Sequence, residues 1–535
     1  MKKQIAKNVL SNYIATAVGA GLGLFLIPFL IRQLGKEAFG LIVLAESAIA
    51  FFELATVSIR MALSRYAAFS LAGDPDKEEF VEYLSTGRGI LLVSSAVVLV
   101  SAFWVGLYFP ALFRVPPGLE SQARILFFLV AAAFSASIPN MVFWSVLYAG
   151  QRFDLINLCL SLGFILRASA LFFFYSVLPP EAVSLTTYGL IYLAMTLTQN
   201  GLIYRWQRKI MPDLRIRLGR FKPAKVKEIL SFGFHASVSR LSSFFSGNAV
   251  DILVNLFWGP ALNAVYSVGF KMPSVMNRLF MEATWTLTPT FTELAAKKER
   301  RKLKRLFFTY TKLVALLILP PCFFLMLSAG PLILFWVGEG FGLSAQILPL
   351  LVFPLLTSLP FAVSGCVLNA YGKVKLPSRV SLAAAALNVG LAAALGKGFS
   401  QGLMGIAAAS AIASFFSSTF FMPYYACRVA GFSFREYWKE SFLKPFAWSA
   451  LAAGGGFLAF GAADGGMRAL PSLAASAAVP ALLSYLGAYF FVLAPDERTK
   501  IKETFAEITG GLYAAGNKRH HPGLQRSRFC LKGHR

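Results

Sequence analysis

Fourteen long apolar stretches run through the 535-residue sequence. Each is close to the roughly 20 residues that a helix needs to cross a bilayer. A backbone inside lipid must satisfy its own hydrogen bonds, and a helix does this within a single segment. Apolar stretches of this length therefore predict helices. The stretches are 10–31, 39–58, 89–109, 125–147, 155–177, 182–204, 229–257, 261–287, 313–334, 347–368, 380–395, 404–426, 445–463 and 472–493. We therefore predict an all-α integral membrane protein with about 14 transmembrane helices.

Positive charge alternates between the loops of this chain. The net charge is +26, and the sequence holds 51 Lys and Arg. About 40 of these lie in the N-terminus, in every second loop and in the C-terminal tail, which is the positive-inside pattern. The pattern predicts a multi-pass protein of the cytoplasmic (inner) membrane with both termini in the cytoplasm. The charge thus reports topology and attraction to lipid headgroups, and we expect no nucleic-acid partner.

The chain contains an internal repeat. Residues 146–152 (VLYAGQR) end the fourth stretch, and residues 367–373 (VLNAYGK) end the tenth, an offset of 221; the first and seventh stretches begin 219 residues apart. Repeats of this kind build a central site between two bundles in many transporters. The predicted domains are two six-helix bundles (1–204 and 229–428), a basic cytoplasmic linker (205–228), two additional transmembrane helices (429–495) and a basic cytoplasmic tail (496–535).

Ionisable residues inside the stretches are the candidate functional groups, because each costs roughly 2.5 to 3.5 kcal/mol in hydrocarbon unless it finds a partner or a cavity. Glu46, Glu53 and Arg60 recur every seven residues and share one face of the second helix. Two carboxylates facing a polar cavity could bind H⁺ or Na⁺ in a coupled cycle. Hydrogen bonding between helices by protonated glutamates is the alternative.

A second polar stripe occupies the seventh stretch. Arg240, Asn248 and Asp251 recur at spacings of eight and three residues, close to three full turns overall. Arg240 lies too deep to mark topology, so we expect a role in substrate binding for it, with Asn248 and Asp251 in ion coupling or gating. A structural ion pair is the alternative.

A third group lies on the eighth and fifth stretches. Lys271 and Arg278 share a face, Glu282 offers Arg278 a local partner, and Pro273 is expected to interrupt the helix beside Lys271. Arg167, in the middle of the fifth stretch, has no acidic residue within reach on its own helix. These cations predict a net positive cavity. Guanidinium groups match phosphate oxygens, so an anionic cargo is favoured over an organic cation.

Several chemistries have no signature in the sequence. No Gly-Lys-Ser/Thr nucleotide loop is present, so we do not expect ATP hydrolysis by this chain. The five cysteines show no paired spacing, which argues against disulfides or a thiolate metal site. We expect no enzyme activity, no catalytic residues, no metal and no cofactor beyond a coupling ion.

Short motifs resemble one known family. They are 8–13 with 28–40 (PFLIRQLGKEAFG), 251–266 (DILVNLFWGPALNAVY), and the turns at 150–153 and 372–375. They resemble the polysaccharide biosynthesis, or lipid-linked oligosaccharide flippase, family of the multidrug/oligosaccharidyl-lipid/polysaccharide exporter superfamily, over nearly the whole chain. The resemblance implies a flippase that moves a polyprenyl-diphosphate-linked glycan by alternating access, with a cationic cavity and coupling to H⁺ or Na⁺.

The substrate-binding candidates are Arg167, Arg240, Lys271 and Arg278. In the leading hypothesis Arg240 and Arg278 contact the diphosphate, while Arg167 and Lys271 set the field. The expected partners are the lipid-linked glycan, membrane lipids and glycan-assembly enzymes. Two alternatives stay open: a multidrug or metabolite antiporter of the same fold, and a scaffold that gathers glycan-assembly enzymes through its basic loops.

Overall fold

In a computed structural model, the protein is described at residues 2–73, 78–214, 216, 218–285, 287–398, 402–463, 470–493 and 495–499. These residues form helices and short connections, with no strand among them. The α-helices are α1 (Lys2–Gly73), α2 (Glu78–Leu107), α3 (Phe109–Leu112), α4 (Glu120–Ser137), α5 (Met141–Ala149), α6 (Phe153–Val177), α7 (Leu185–Ile210), α8 (Pro223–Ser246), α9 (Asn248–Trp258), α10 (Pro260–Trp285), α11 (Thr288–Ala296), α12 (Arg300–Leu327), α13 (Ala329–Val337), α14 (Gly342–Val352), α15 (Leu355–Phe361), α16 (Val363–Ala370), α17 (Lys375–Ala393), α18 (Gly402–Phe415), α19 (Met422–Ala430), α20 (Phe434–Trp438), α21 (Lys444–Ala463) and α22 (Leu470–Gly487).

All fourteen predicted stretches lie on helix over most of their described length, which confirms the predicted fold class. By length and hydropathy alone, seven described helices can cross a bilayer, or eight if α4 and α5, bent by 42°, form one span. One of the seven, 10–54, is twice the required length and holds two spans, because its helix turns at Gly35.

The helices present apolar side chains outward, as a bilayer requires. On α2 the exposed residues include Val93, Val97, Val100, Phe103 and Trp104, each at least half exposed. A soluble protein rarely leaves so continuous an apolar surface in water. This surface indicates a lipid-facing exterior and a multi-pass membrane protein.

The turns repeat between the two halves of the chain. The Arg152 N–H donates to the Leu147 carbonyl, and the Lys373 N–H donates to the Leu368 carbonyl, both at 2.9 Å. The second bond lies 221 positions after the first, which is the offset of the sequence repeat. Gln151 and Gly372, which precede these donors, have φ of 54° and 66°. The sequence repeat therefore corresponds to a repeated backbone conformation. The domain boundaries themselves stay a prediction, and almost all of the predicted 496–535 tail lies outside the described residues.

The first turns of the two halves, at Gly35 and Gly259, also share one backbone conformation. Gly35 lies at φ 83° and ψ 170°, and Gly259 at φ 85° and ψ −179°. This region is open essentially to glycine, since a Cβ would clash with the backbone. The two turns lie at one end of the bundle, here named the hairpin end. The opposite end, which holds Lys7 and Asp496, is named the terminal end.

One apolar core joins the two halves. Leu41, Leu44 and Ala45 of α1 belong to the same buried cluster as Ala264 and Val268 of α10. At the hairpin end the two backbones approach so closely that a methyl group on Gly40 would overlap the Pro260 carbonyl. The C-terminal helices α21 and α22 pack against α12, and Phe446 of α21 reaches the edge of this core. The two halves therefore contact each other mainly along α1 and α10.

Candidate functional site

A line of charge on α1 follows the boundary between the two halves. Glu46, Glu53 and Arg60 succeed one another every two turns, as predicted, and both glutamates are exposed in this membrane protein. Glu46 lies eleven residues after the Gly35 turn, or about 16 Å along the helix, which is half-way through a hydrocarbon core of about 30 Å. An exposed carboxylate at that depth faces a polar space rather than lipid tails.

Glu46 is positioned by a tyrosine and faces a lysine. The Tyr188 hydroxyl on α7 donates to Glu46 Oε1 at 3.0 Å. From the other half, Lys271 on α10 interacts electrostatically with Glu46. Lys271 packs over Gly23, where an added Cβ would lie 3.4 Å from its Cε and Nζ. A carboxylate of one half thus faces an ammonium of the other half in the middle of the membrane, and the two attract each other without forming a close ion pair among the described residues.

Arg167 joins this group through an aromatic ring. Its guanidinium lies over Tyr192 of α7, 4.2 Å from the ring centroid. Tyr192 also interacts electrostatically with Glu46 and Glu53. The Arg167 Nε is buried and has no hydrogen-bond partner among the described residues. A buried donor without an acceptor is costly, so this N–H is available to an oxygen atom of a ligand.

Arg278 lies two turns along α10 from Lys271 and is exposed. The two cations interact electrostatically with each other. Within the described part of the chain, Arg167, Lys271 and Arg278 have no carboxylate oxygen within 4.0 Å. Like charges held near one another without close counter-ions create a positive potential, which attracts an anion.

A cavity of about 170 Å³ continues the polar space toward the terminal end. It is lined by Glu53 and Arg60 of α1, by Phe244 of α8, by Asn248 of α9 and by apolar residues of α1. The Arg60 guanidinium lies 4.7 Å from the centroid of the Trp144 ring. The predicted coupling residues Glu53 and Asn248 therefore share one cavity between the halves.

The predicted stripe on the seventh stretch is wrong in one respect. The helix breaks at Gly247, where φ is −129° and ψ is −89°, so the eleven-residue spacing from Arg240 no longer fixes a shared face. Asp251 lies in the first turn of α9 and accepts a hydrogen bond from the buried Ser47 at 3.1 Å. The side chain of Arg240 lies outside the described residues, and its predicted role stays a prediction.

The predicted interruption at Pro273 is also wrong. Helix α10 continues through Pro273, which is buried, to Trp285. A proline removes one backbone hydrogen bond but its fixed φ is compatible with helix, so packed neighbours can hold the helix together. The side chain of Glu282, the predicted local partner of Arg278, lies outside the described residues.

The structure brings together Glu46, Arg167, Lys271 and Arg278, and it places Glu53 with Asn248. Two organising residues, Tyr188 and Tyr192, were not predicted. Their spacing of four residues places them on one face of the sixth stretch, which is a weak signal among 18 tyrosines. The described residues contain no group of three or more His, Cys, Asp and Glu that could hold a metal ion. The arrangement is suited to binding an anion reversibly.

Comparisons with known proteins give consistent relatives. A family model described as "Polysaccharide biosynthesis protein" matches residues 182–346. The uncharacterised membrane protein EpsK of Bacillus subtilis (strain 168) is 23% identical over 94% of this chain and 99% of its own length. A candidate O-antigen transporter of Shigella flexneri is 22% identical over 71% of this chain and 88% of its own length.

Solved structures share the fold. The lipid II flippase MurJ in an inward closed conformation has a TM-score of 0.65 and 17% identity, covering 91% of this chain and 100% of its own. An inward-facing multidrug resistance MATE family transporter of the MOP superfamily has a TM-score of 0.64 and 16% identity, covering 80% of this chain and 96% of its own. The resemblance predicted from the short motifs is confirmed. The chain is similar to polysaccharide biosynthesis proteins over residues 182–346, and it has the fold of the MurJ and MATE family structures.

Proposed function

We propose that this protein is a flippase, a transporter rather than an enzyme. Its cargo is a polyprenyl-diphosphate-linked oligosaccharide or a related anionic glycolipid used in cell-surface polysaccharide biosynthesis. It carries the cargo across the cytoplasmic membrane, with the terminal end in the cytoplasm. The observation that carries the proposal is the cluster of Arg167, Lys271 and Arg278 between the halves, which has no carboxylate within ion-pairing distance among the described residues.

The charge of the cluster selects the cargo. A diphosphate carries two or more negative charges and cannot enter hydrocarbon without compensation. Two guanidinium groups and an ammonium supply that compensation, while the glycan can occupy the hydrated cavity lined by Glu53 and Asn248. The polyprenyl chain is apolar, so it can stay in the bilayer beside the apolar exterior of the protein while the headgroup enters the cavity. The cluster therefore recognises the part common to all such lipids.

Alternating access follows from contacts between the halves at both ends. At the hairpin end, Asn263 Nδ2 donates to the Gly40 carbonyl at 3.3 Å, and Lys36 Nζ donates to the Gly340 carbonyl. At the terminal end, Glu82 of α2 pairs with Lys225 of α8 at 3.1 Å. Rocking of the halves would open one set of contacts while the other holds, with H⁺ or Na⁺ binding at Glu53 or Asp251 as the proposed energy source.

The test is native mass spectrometry of the protein extracted gently from its own membrane. The wild type should retain a polyprenyl-diphosphate glycan, and the double substitution Arg167→Ala with Lys271→Ala should lose it and abolish polysaccharide export. Arg124→Ala is the matched control, because Arg124 is an exposed arginine near the start of α4, away from the cluster. Membrane abundance and melting temperature establish that each variant folds.

Two results would contradict the proposal. Retention of the glycolipid and of export by the double variant would remove the cluster from the mechanism. Normal export in cells that lack the protein, together with new sensitivity to cationic dyes, would indicate a multidrug antiporter of the same fold instead.

A further inference from the structure

Glu46 differs from the carboxylates that form ion pairs at the terminal end of this protein. Those at the terminal end are held tightly, as Asp154 is by Lys7 and Arg152, at 2.6 and 3.0 Å. Glu46 lies in the middle of the membrane, is exposed, and has no Lys or Arg nitrogen within 4.0 Å among the described residues. Its one described hydrogen bond comes from the neutral Tyr188 hydroxyl to Oε1. Among the described residues, this carboxylate therefore has a hydrogen-bond donor but no close cationic partner.

The position of Glu46 is matched across the boundary between the halves. Glu46 lies eleven residues after the Gly35 turn, and Lys271 lies twelve residues after the equivalent turn at Gly259. The two charges therefore stand at nearly the same depth on opposing helices and attract each other. Among the described residues, Glu46 is the carboxylate whose charge acts on Lys271.

Arg167 is left incompletely satisfied by the same arrangement. The ring of Tyr192 covers the face of its guanidinium at 4.2 Å, but the buried Nε donates to no described residue. Tyr192 and Tyr188, one turn apart on α7, both interact electrostatically with Arg167 and with Glu46. Glu46 thus attracts Lys271 without contacting it, and it lies beside the same two tyrosines as Arg167. A ligand with more oxygen atoms could reach both cations directly.

We infer that Glu46 is an internal stand-in for the anionic headgroup: it compensates Arg167 and Lys271 when the site is empty, and the arriving diphosphate displaces it from that role. The inference rests on the proposed function. The carboxylate then remains beside the bound anion and repels it, which limits affinity and favours release on the far side of the membrane. Glu46 is in this sense a residue that sets specificity and turnover rather than a coupling-ion ligand.

The test is to measure binding of inorganic pyrophosphate to the purified full-length protein by calorimetric titration. Glu46→Gln keeps the size of the side chain and a partner for Tyr188 but removes the charge. We expect about five- to tenfold tighter binding, the effect of removing one unit charge several ångströms from a bound anion in a partly hydrated cavity. Glu37→Gln is the matched control, because Glu37 is exposed on the same helix at the hairpin end.

A transport measurement separates a charge role from a structural one. Glu46→Gln should bind pyrophosphate more tightly yet export polysaccharide more slowly, because release is impeded. Glu46→Asp, which restores the charge on a shorter side chain, should return both affinity and export toward the wild-type values. A residue that only supports the fold would lose binding and export together in the Gln variant.

The outcomes distinguish this inference from the proposed function. If the wild type binds pyrophosphate and Glu46→Gln binds it equally or more weakly, the stand-in role is overturned and the flippase proposal stands. If the wild type binds no pyrophosphate and retains no glycolipid, both fail. Tighter binding in Glu46→Gln with unchanged or faster export would also overturn the release role.

Discussion

At the scale of single residues, Asp154 fastens the beginning of α1 to the beginning of α6. Its carboxylate is buried and accepts from Lys7 Nζ at 2.6 Å and from Arg152 Nε at 3.0 Å. Asn8 adds a contact, since its side-chain oxygen accepts from the Asp154 N–H at 3.2 Å. The charge of one residue therefore determines where the N-terminal segment lies.

We predict that Asp154→Asn lowers the stability of the folded protein by about 1 to 3 kcal/mol, because two cations lose their shared counter-ion in a partly buried place. Thermal unfolding of the detergent-solubilised protein measures the effect. Asp213→Asn, at an exposed position of the linker, is the control and should change little. A double-mutant cycle tests the pairing. If Lys7→Met lowers the free energy of unfolding by the same amount in the Asp154→Asn protein as in the wild type, the two residues are not coupled, and the interpretation is wrong.

The sequence supports predictions about single residues unevenly. Charges inside apolar stretches stand out by cost alone, which is why Glu46, Arg167 and Lys271 were predicted. Their partners could not be, because Tyr188 lies 142 positions from Glu46 and nothing local encodes that hydrogen bond. Ser47, the partner of Asp251, is similarly unremarkable in sequence. A helical face predicts which side chains avoid lipid but not which ones meet.

At the scale of elements, glycine determined the breaks better than proline did. The helix that was expected to break at Pro273 continues, whereas its neighbour breaks at Gly247. The turns at Gly35 and Gly259 share a conformation that other residues rarely adopt, so they recur at equivalent positions of the two halves. In tightly packed membrane helices, a missing side chain also allows two backbones to touch.

We predict that Gly40→Ala opens the hairpin end. The added methyl group would overlap the Pro260 carbonyl, and backbone atoms cannot move aside as a flexible side chain can. The conformation with the hairpin ends together should become less populated, so the distance between spin labels at positions 37 and 339 should increase by several ångströms. Both labelled positions are exposed, and they flank the contact between Lys36 and the Gly340 carbonyl.

The control for this experiment lies on the same helix. Gly21→Ala meets no atom within 4 Å and should leave the label distance unchanged. An unchanged distance in Gly40→Ala, with normal folding, would show that the close approach of α1 and α10 does not hold the hairpin end closed.

At the scale of the whole molecule, the two halves meet through different chemistry at the two ends. The hairpin end is joined by the close backbone approach of Gly40 to Pro260 and by side chains that donate to backbone carbonyls, while the terminal end is joined by ion pairs between side chains. The sequence repeat at an offset of 221 predicts two similar halves, and the turns after α5 and α16 share one hydrogen-bond pattern. It could not predict this asymmetry, because the contacts between the halves need not repeat when the halves do.

The terminal end is held by an ion-pair network between α2 and α8. Glu82 lies 3.1 Å from Lys225 and 3.5 Å from Lys222, and Glu79 lies 3.6 Å from Lys225. The Tyr83 hydroxyl donates to Glu228 at 2.6 Å. Lys222 and Glu79 are about half exposed, and Lys225 is the least exposed member at 13%. Several charges acting as a network contribute more than an isolated surface pair. Such a network can still open at modest cost, which suits a gate that must cycle.

We predict that Glu82→Lys opens the terminal end by placing three positive charges together, and that adding Lys225→Glu closes it again by restoring the opposite signs. Pulsed spin-label distances between positions 78 and 224 should lengthen in the single variant and return toward the wild-type value in the double variant. Polysaccharide export should fall and recover in parallel, because a gate that cannot close interrupts alternating access. Lys297→Glu, which disrupts an exposed pair with Glu293 at the end of α11, should leave both readouts unchanged. Loss of export in both the single and the double variant, with normal abundance, would mean that Glu82 acts through something other than its charge pairing across the halves.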